Sequence, residues 1–164
     1  ICIDVKMSCF FIDITGFVDN AGDFIIKEIC IMNILNLLQP LYLICKNMPD
    51  WNSLSLLSKQ RNEDMSNLNL HLTWEEGNDV FCSFCLSHSI LVKSEIFYVM
   101  DDNDGRKLKT LKSLFPKWRF ANYSLNANSH CQLPTNISCP WRDHGPNCAY
   151  KHCLLGAIDY LNVK

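Results

Sequence analysis

One acidic residue in an otherwise apolar strand limits what this chain can fold into. Glu28 stands in the run from Phe24 to Ile34, whose composition predicts a strand buried on both faces. Strand alternation places its side chain on one face with those of Phe24, Ile26, Cys30 and Met32. A lone carboxylate in such surroundings is strongly unfavourable or takes up a proton. The pattern therefore predicts a cation beside Glu28.

The segment before the last predicted helix supplies donors for that cation. Cys139, His144 and Cys148 follow the spacing Cys-x4-His-x3-Cys, and Cys148 lies where the positive end of the helix dipole favours a thiolate. With Glu28 they make an acceptable tetrahedral zinc set without an open position, so the predicted role of the Zn²⁺ is structural. The alternative is two packed thiols, a surface histidine, and a Glu28 paired with lysine or capping a backbone group.

Composition and charge are those of a folded domain. In 164 residues the chain is 48% hydrophobic and has only 6 glycines and 6 prolines, enough for one real core. Its formal net charge of -2 argues against holding nucleic acid by bulk electrostatics, so any nucleic-acid site must be local.

The placement of the ten cysteines favours a reduced intracellular domain over a secreted disulfide framework. Cys9, Cys30 and Cys45 lie inside apolar runs, where free cysteine behaves as a small hydrophobic residue. We therefore expect a cytoplasmic or nuclear protein with no disulfide-linked partner. No apolar run approaches the roughly 20 residues of a membrane span, so no membrane association is expected.

The order of predicted elements is that of an α/β domain. Strands are expected at about 9–18, 24–34, 41–45, 95–100 and 118–125, and helices at about 54–68, 80–93, 104–115 and 146–162. The first three strands would form an antiparallel meander and the later ones a parallel βαβ unit. This order predicts a single domain over residues 1–164, with an RNase-H-like mixed sheet flanked by helices.

Three stretches of the sequence stand out together: FIDITGF from Phe11 to Phe17, KEIC from Lys27 to Cys30, and CPWRDH from Cys139 to His144 followed by NCA from Asn147 to Ala149. In these stretches the chain resembles the Maelstrom domain, an RNase-H-like fold related to the DEDDh exonucleases. The hallmark of that family is a Glu-Cys-His-Cys zinc set. The resemblance implies binding of single-stranded RNA or of protein partners, and a role in small-RNA (piRNA) silencing of transposons.

The exonuclease residues themselves are mostly replaced. DEDDh enzymes need Asp-x-Glu on the first strand and His-x4-Asp on the last helix to hold two divalent metals. Asp13 matches the first Asp, but Thr15 replaces the Glu, and Asn147 and His152 stand in the last motif. We therefore expect no catalytic residues, with Asp13 a remnant. The alternatives are an active single-strand ribonuclease with a different site, and a scaffold that binds only proteins.

A basic segment between residues 106 and 119 is a candidate site for binding single-stranded RNA. It consists of Arg106, Lys107, Lys109, Lys112, Lys117 and Arg119. These side chains could follow a phosphate backbone while Trp118 and Phe120 stack on bases. The alternative is a solvated helix face beside aromatic residues of the core.

Two further clusters have a weaker signal. Cys82, Cys85 and His88, with His130 and Cys131, could form a second metal set, although core packing explains them better. Asp101, Asp102 and Asp104 follow a strand, as a metal carboxylate would, but are more typical of a solvated loop and helix cap.

Overall fold

The structure, a computed structural model, describes residues 9–46, 49–77, 96–100, 105–126, 132–134 and 136–163. These residues include strands β1 (Cys9–Val18), β2 (Phe24–Asn33), β3 (Asn36–Ile44), β4 (Ile96–Met100) and β5 (Arg119–Tyr123). They also include helices α1 (Leu56–Met65), α2 (Arg106–Leu114) and α3 (Ala149–Val163). The helix expected at 80–93, the second metal set and the three aspartates at 101, 102 and 104 lie outside the described residues.

The strands form a mixed sheet in the order β3-β2-β1-β4-β5. Strand β2 is antiparallel to both β1 and β3, whereas β1, β4 and β5 run parallel to one another. Leu111 and Phe115, on and just after α2, pack on one face of the sheet, and Cys153 and Ala157 of α3 pack on the other. The predicted α/β architecture with helices flanking a mixed sheet is therefore confirmed.

A β-bulge between β1 and β2 reverses the side-chain alternation of β2. Thr15 lies opposite Glu28 but Gly16 lies opposite Ile26, which leaves Lys27 as the extra residue. Glu28 consequently faces α3, while Ile26 belongs to the cluster that packs on α2. The expectation that Phe24 and Ile26 share the face of Glu28 is wrong, because simple alternation does not continue through a bulge.

The bulge depends on Gly16 and Lys27. A Cβ at Gly16 would lie 1.9 Å from a carbonyl oxygen of β2, so only glycine fits there. Lys27 is fully buried, and its Nζ donates to the carbonyl oxygens of Cys45 at 3.0 Å, of Trp74 at 2.9 Å, and of Glu76. Burial lowers the pKa of Lys27 to about 8. This lysine therefore anchors the loop at 74–76 to the sheet.

Strand β3 begins at Asn36, five residues before the expected start at residue 41. The sequence suggested an interruption at Pro40, because proline cannot donate a hydrogen bond to a neighbouring strand. However, among the described strands β3 lies at the edge of the sheet and pairs only with β2, so one of its sides needs no such donor.

Helix α1 begins two residues later than predicted and continues into a π-helical turn at Ser66–Leu70, whereas α2 is shorter than predicted at both ends and α3 at its start. Ser55 caps α1, with its hydroxyl accepting from the backbone N–H of Ser58 at 3.2 Å. Helix α2 begins after Gly105, which adopts a left-handed conformation. Helix α3 begins at Ala149 rather than at Pro146, so Cys148 immediately precedes its first residue.

Candidate metal centre

Four predicted ligands from three parts of the chain converge on one point. Glu28 comes from β2, Cys139 and His144 from the loop before α3, and Cys148 from the position preceding that helix. Their donor atoms lie within 4.8 Å of one another, and all four residues are buried. This cluster could hold a metal ion.

Glu28 is held with one oxygen bound by the protein and the other facing the cluster. Its Oε1 accepts from the hydroxyl of Thr15 at 2.9 Å and from the backbone N–H of Ala149 at 2.8 Å. Its Oε2 lies 2.9 Å from Nε2 of His144 and 3.6 Å from Sγ of Cys148. Burial raises the pKa of Glu28, but hydrogen bonds from His144, Tyr42 and Ala149 outweigh burial, so its pKa lies below the ordinary value. An ionised carboxylate therefore points at the cluster.

The imidazole of His144 is oriented by a backbone contact. Its Nδ1 lies 2.9 Å from the carbonyl oxygen of Leu70, which makes Nδ1 the donor and leaves Nε2 facing the other ligands. Burial lowers the pKa of His144, but the neighbouring Cys139 and Glu28 outweigh burial and raise it to about 10. A metal ion bound at Nε2 would therefore replace a proton.

The two thiols differ in acidity. The contact with Cys148 lowers the pKa of Cys139 against the opposing effect of burial. The same contact, together with burial, raises the pKa of Cys148. Two sulfurs, an oriented imidazole and an ionised carboxylate are a donor set that fits a divalent metal ion, which would displace the protons of the thiols.

Sequence reasoning missed a fifth residue at the centre, Tyr42 of β3. Its hydroxyl lies 2.9 Å from Sγ of Cys139 and 3.5 Å from Nε2 of His144, and it donates to Oε2 of Glu28. The signal that could have revealed it is strand pairing, because Tyr42 lies opposite Cys30, two residues along the same face from Glu28. The short strand predicted at 41–45 did not give this register.

The ligand loop is fixed by an ion pair outside the cluster. Arg142 donates from Nε to Oε1 of Glu76 at 2.5 Å and from Nη2 to Oε2 at 2.8 Å. The indole N–H of Trp141 also donates to Oε1 of Glu76, at 2.7 Å. Hydrogen bonding to Arg142 lowers the pKa of Glu76 to about 2. These contacts hold the loop that carries Cys139 and His144 against the segment that Lys27 anchors.

The remnant Asp13 is engaged by two basic side chains. Its carboxylate is fully buried, with Oδ1 2.5 Å from Nζ of Lys107 and Oδ2 2.7 Å from Nδ1 of His152. Thr15, which replaces the exonuclease glutamate, donates to Glu28 instead. Each residue of the expected remnant site thus has a partner within the protein.

The predicted basic segment is largely exposed, but its aromatic neighbours are not available for stacking on bases. Lys107 contacts Asp13, whereas Arg106, Lys109, Lys112, Lys117 and Arg119 are exposed. Trp118 is stacked between Phe97, at a ring distance of 4.5 Å, and Phe115, at 4.1 Å. Phe120 packs against Phe97 as well. RNA binding by this segment would therefore depend on charge.

All six cysteines among the described residues are buried, and none of them takes part in a disulfide. None of the helices in this part of the chain has the length and apolar character needed to cross a membrane. The sequence matches no protein-family profile, and no curated protein matches it significantly.

Proposed function

We propose that this chain is a Maelstrom-like domain with an RNase-H-like fold that has lost exonuclease chemistry and acts by binding, with single-stranded RNA as its ligand. The order β3-β2-β1-β4-β5, antiparallel in its first part and parallel in its second, supports the fold. Protein partners and a role in small-RNA silencing follow from the resemblance and are part of the same proposal.

The metal in this proposal is one structural Zn²⁺ bound by Glu28, Cys139, His144 and Cys148. Two sulfurs, one nitrogen and one oxygen are a set that zinc accepts, and four protein ligands leave no position for substrate. When bound, the ion supplies a cross-link between β2 and the start of α3. The protein orients the carboxylate of Glu28 through Thr15 and Ala149 and the imidazole of His144 through Leu70.

The observation that carries the loss of catalysis is the environment of Asp13. A hard divalent cation needs carboxylate oxygens that are free to coordinate it. Both oxygens of Asp13 already contact basic side chains, and the ammonium of Lys107 would repel a second cation. With Thr15 turned toward Glu28, the pair of carboxylates expected on β1 is reduced to one that is already paired.

Binding of RNA can be tested by titrating zinc-loaded protein into a labelled single-stranded oligonucleotide at several salt concentrations. We expect affinity to fall with salt, and Lys109→Gln/Lys112→Gln to weaken binding and flatten the salt dependence. Lys46→Gln/Arg61→Gln is the matched control, since it removes the same charge from exposed positions elsewhere. Absent or salt-insensitive binding would reject RNA as the ligand and leave protein partners.

One observation favours the second candidate, a ribonuclease with a non-DEDDh site. His152 lines an open cavity of about 490 Å³ together with Lys151 and Leu155, while its Nδ1 is held by the buried Asp13. An imidazole supported by a carboxylate in this way can act as a general base through its other nitrogen.

Cleavage of single-stranded RNA without added Mg²⁺ or Mn²⁺, lost in His152→Gln and retained in His71→Gln, would establish this second function. Turnover that requires Mg²⁺ or Mn²⁺ and disappears in Asp13→Ala would contradict both candidates. No cleavage under any of these conditions supports the binding module.

A further inference from the structure

Tyr42 places a hydroxyl among the donors of the candidate metal centre without belonging to the predicted ligand set. It lies on the edge strand β3, and its ring packs edge-on against Tyr150 of α3 at a centroid distance of 6.3 Å. The hydroxyl is within hydrogen-bonding distance of Glu28 and of Cys139, whose sulfur lies 2.9 Å away. Two consecutive strands and the loop before α3 therefore meet at this one oxygen.

The chemistry of these neighbours suits a hydrogen-bond donor. The O–H of Tyr42 donates its one proton to the carboxylate of Glu28, and its oxygen accepts from the thiol of Cys139 while that thiol is protonated. As zinc ligands Glu28 and Cys139 are both anionic and repel each other, and the same proton, lying between them, then reduces that repulsion. Groups that hold metal ligands in this way commonly change metal affinity when they are removed.

We propose that Tyr42 is a positioning residue of the metal centre, whose hydroxyl holds the carboxylate of Glu28 and the sulfur of Cys139 in place for the ion. This inference rests on the proposed zinc site. Removing the hydroxyl alone is expected to weaken Zn²⁺ binding by about 10- to 100-fold while leaving all four ligands present.

The test compares Tyr42→Phe with the wild-type chain and with Tyr150→Phe. Tyr150 is the matched control because it is the neighbouring ring, and the hydrogen bonds to Glu28 and Cys139 do not involve its hydroxyl. Zinc dissociation constants are measured by competition with a chromophoric chelator. If a variant folds only with metal, the dependence of its unfolding midpoint on free zinc gives the same constant.

Cobalt substitution provides a second readout that a general loss of stability would not produce. The absorption band arising from charge transfer between thiolate and Co²⁺ is expected to shift in Tyr42→Phe, because the sulfur of Cys139 loses the polar hydroxyl that lies 2.9 Å away, and to stay unchanged in Tyr150→Phe. Equal or tighter zinc binding by Tyr42→Phe, with an unshifted cobalt band, would overturn the inference about Tyr42 alone. Failure of the wild-type chain to bind zinc would instead overturn the proposed centre and, with it, this role.

Discussion

Removal of zinc is expected to take away a large part of the stability of this domain. Glu28 and Cys148 lie 120 residues apart in the chain, so the ion can meet all four ligands only in the folded state. Free Zn²⁺ at about 1,000 times its dissociation constant stabilises the folded state by about 4 kcal/mol. Domains of ordinary size have only about 5–15 kcal/mol in total. Because about 1 kcal/mol shifts the Tm of such a chain by about 2–4 °C, we expect a decrease of about 8–16 °C when the ion is removed.

The measurements are urea unfolding and thermal unfolding of zinc-loaded and chelator-treated protein at fixed pH, both followed by circular dichroism. Cys148→Ser should lack most of the increment that zinc gives to the wild-type chain. Cys153→Ser is the control, since Cys153 is an equally buried cysteine on the adjoining helix whose Sγ contacts the backbone of Cys30 rather than the cluster. Whatever its own effect on stability, this control should keep the full zinc increment.

Two outcomes would refute the reasoning. If the chelator leaves the unfolding midpoint unchanged, no ion contributes to the fold. If zinc stabilises Cys148→Ser as strongly as the wild-type chain, the ion is bound elsewhere. An increment well below the expected value would instead show that the unfolded chain also binds zinc, which reduces the effect of linkage.

Three further predictions concern the surroundings of the site. Lys107→Met should lower the free energy of unfolding by about 2–3 kcal/mol, because it removes the ammonium group that pairs with the buried carboxylate of Asp13. Adding Asp13→Asn to the same chain should restore most of this loss. A double variant that is no more stable than Lys107→Met in urea unfolding would contradict the prediction. The lowered pKa of Glu76 implies that its ionised form adds about 1 kcal/mol to the free energy of unfolding; this contribution is complete above the ordinary pKa of 4.5 and is lost as the pH falls toward about 2. Acid titration should therefore bring the stability of the wild-type chain close to that of Glu76→Gln. A constant difference between the two across that pH range would contradict the prediction. Gly16→Ala should lower the free energy of unfolding by about 3 kcal/mol or more, because the new Cβ meets a backbone carbonyl oxygen. Gly22→Ala, where there is open space but a positive φ, should lower it by about 1 kcal/mol. Equal urea midpoints for the two variants would exclude a special role for Gly16.

Local sequence signals were sufficient to predict where most strands lie. The run from Cys9 to Val18 coincides with β1, and the predicted end of β2 differs by a single residue. The turn between them also has a local cause, since Asp19 accepts from the backbone N–H groups of Ala21 and Asp23. Boundaries failed where tertiary context decides them, as at the edge strand β3.

The cluster of four donors was predictable because a buried carboxylate needs a cation beside it, and few residue types can bind a metal ion together with it. The arrangement around it was not. The register of β3 brings Tyr42 to the site, and a bulge at the Thr15–Gly16 step determines which face of the sheet Ile26 lies on. Neither feature follows from composition or spacing. The partners of Asp13 depend on how α2 and α3 lie against the sheet, so the sequence indicated missing metal ligands without showing what replaces them.

Two consecutive residues of β2, Lys27 and Glu28, connect the loop at 74–76 and the loop before α3 into a closed ring of contacts. Lys27 binds the backbone of Glu76, the side chain of Glu76 binds Arg142, and the loop of Arg142 carries ligands that meet Glu28. A single peptide unit, between residues 27 and 28, thus begins and ends the ring. Loss of a metal ion bound at the cluster should therefore loosen the surface loop around residue 76, although none of the candidate ligands lies in that loop. Faster amide hydrogen exchange in the loop would show this effect.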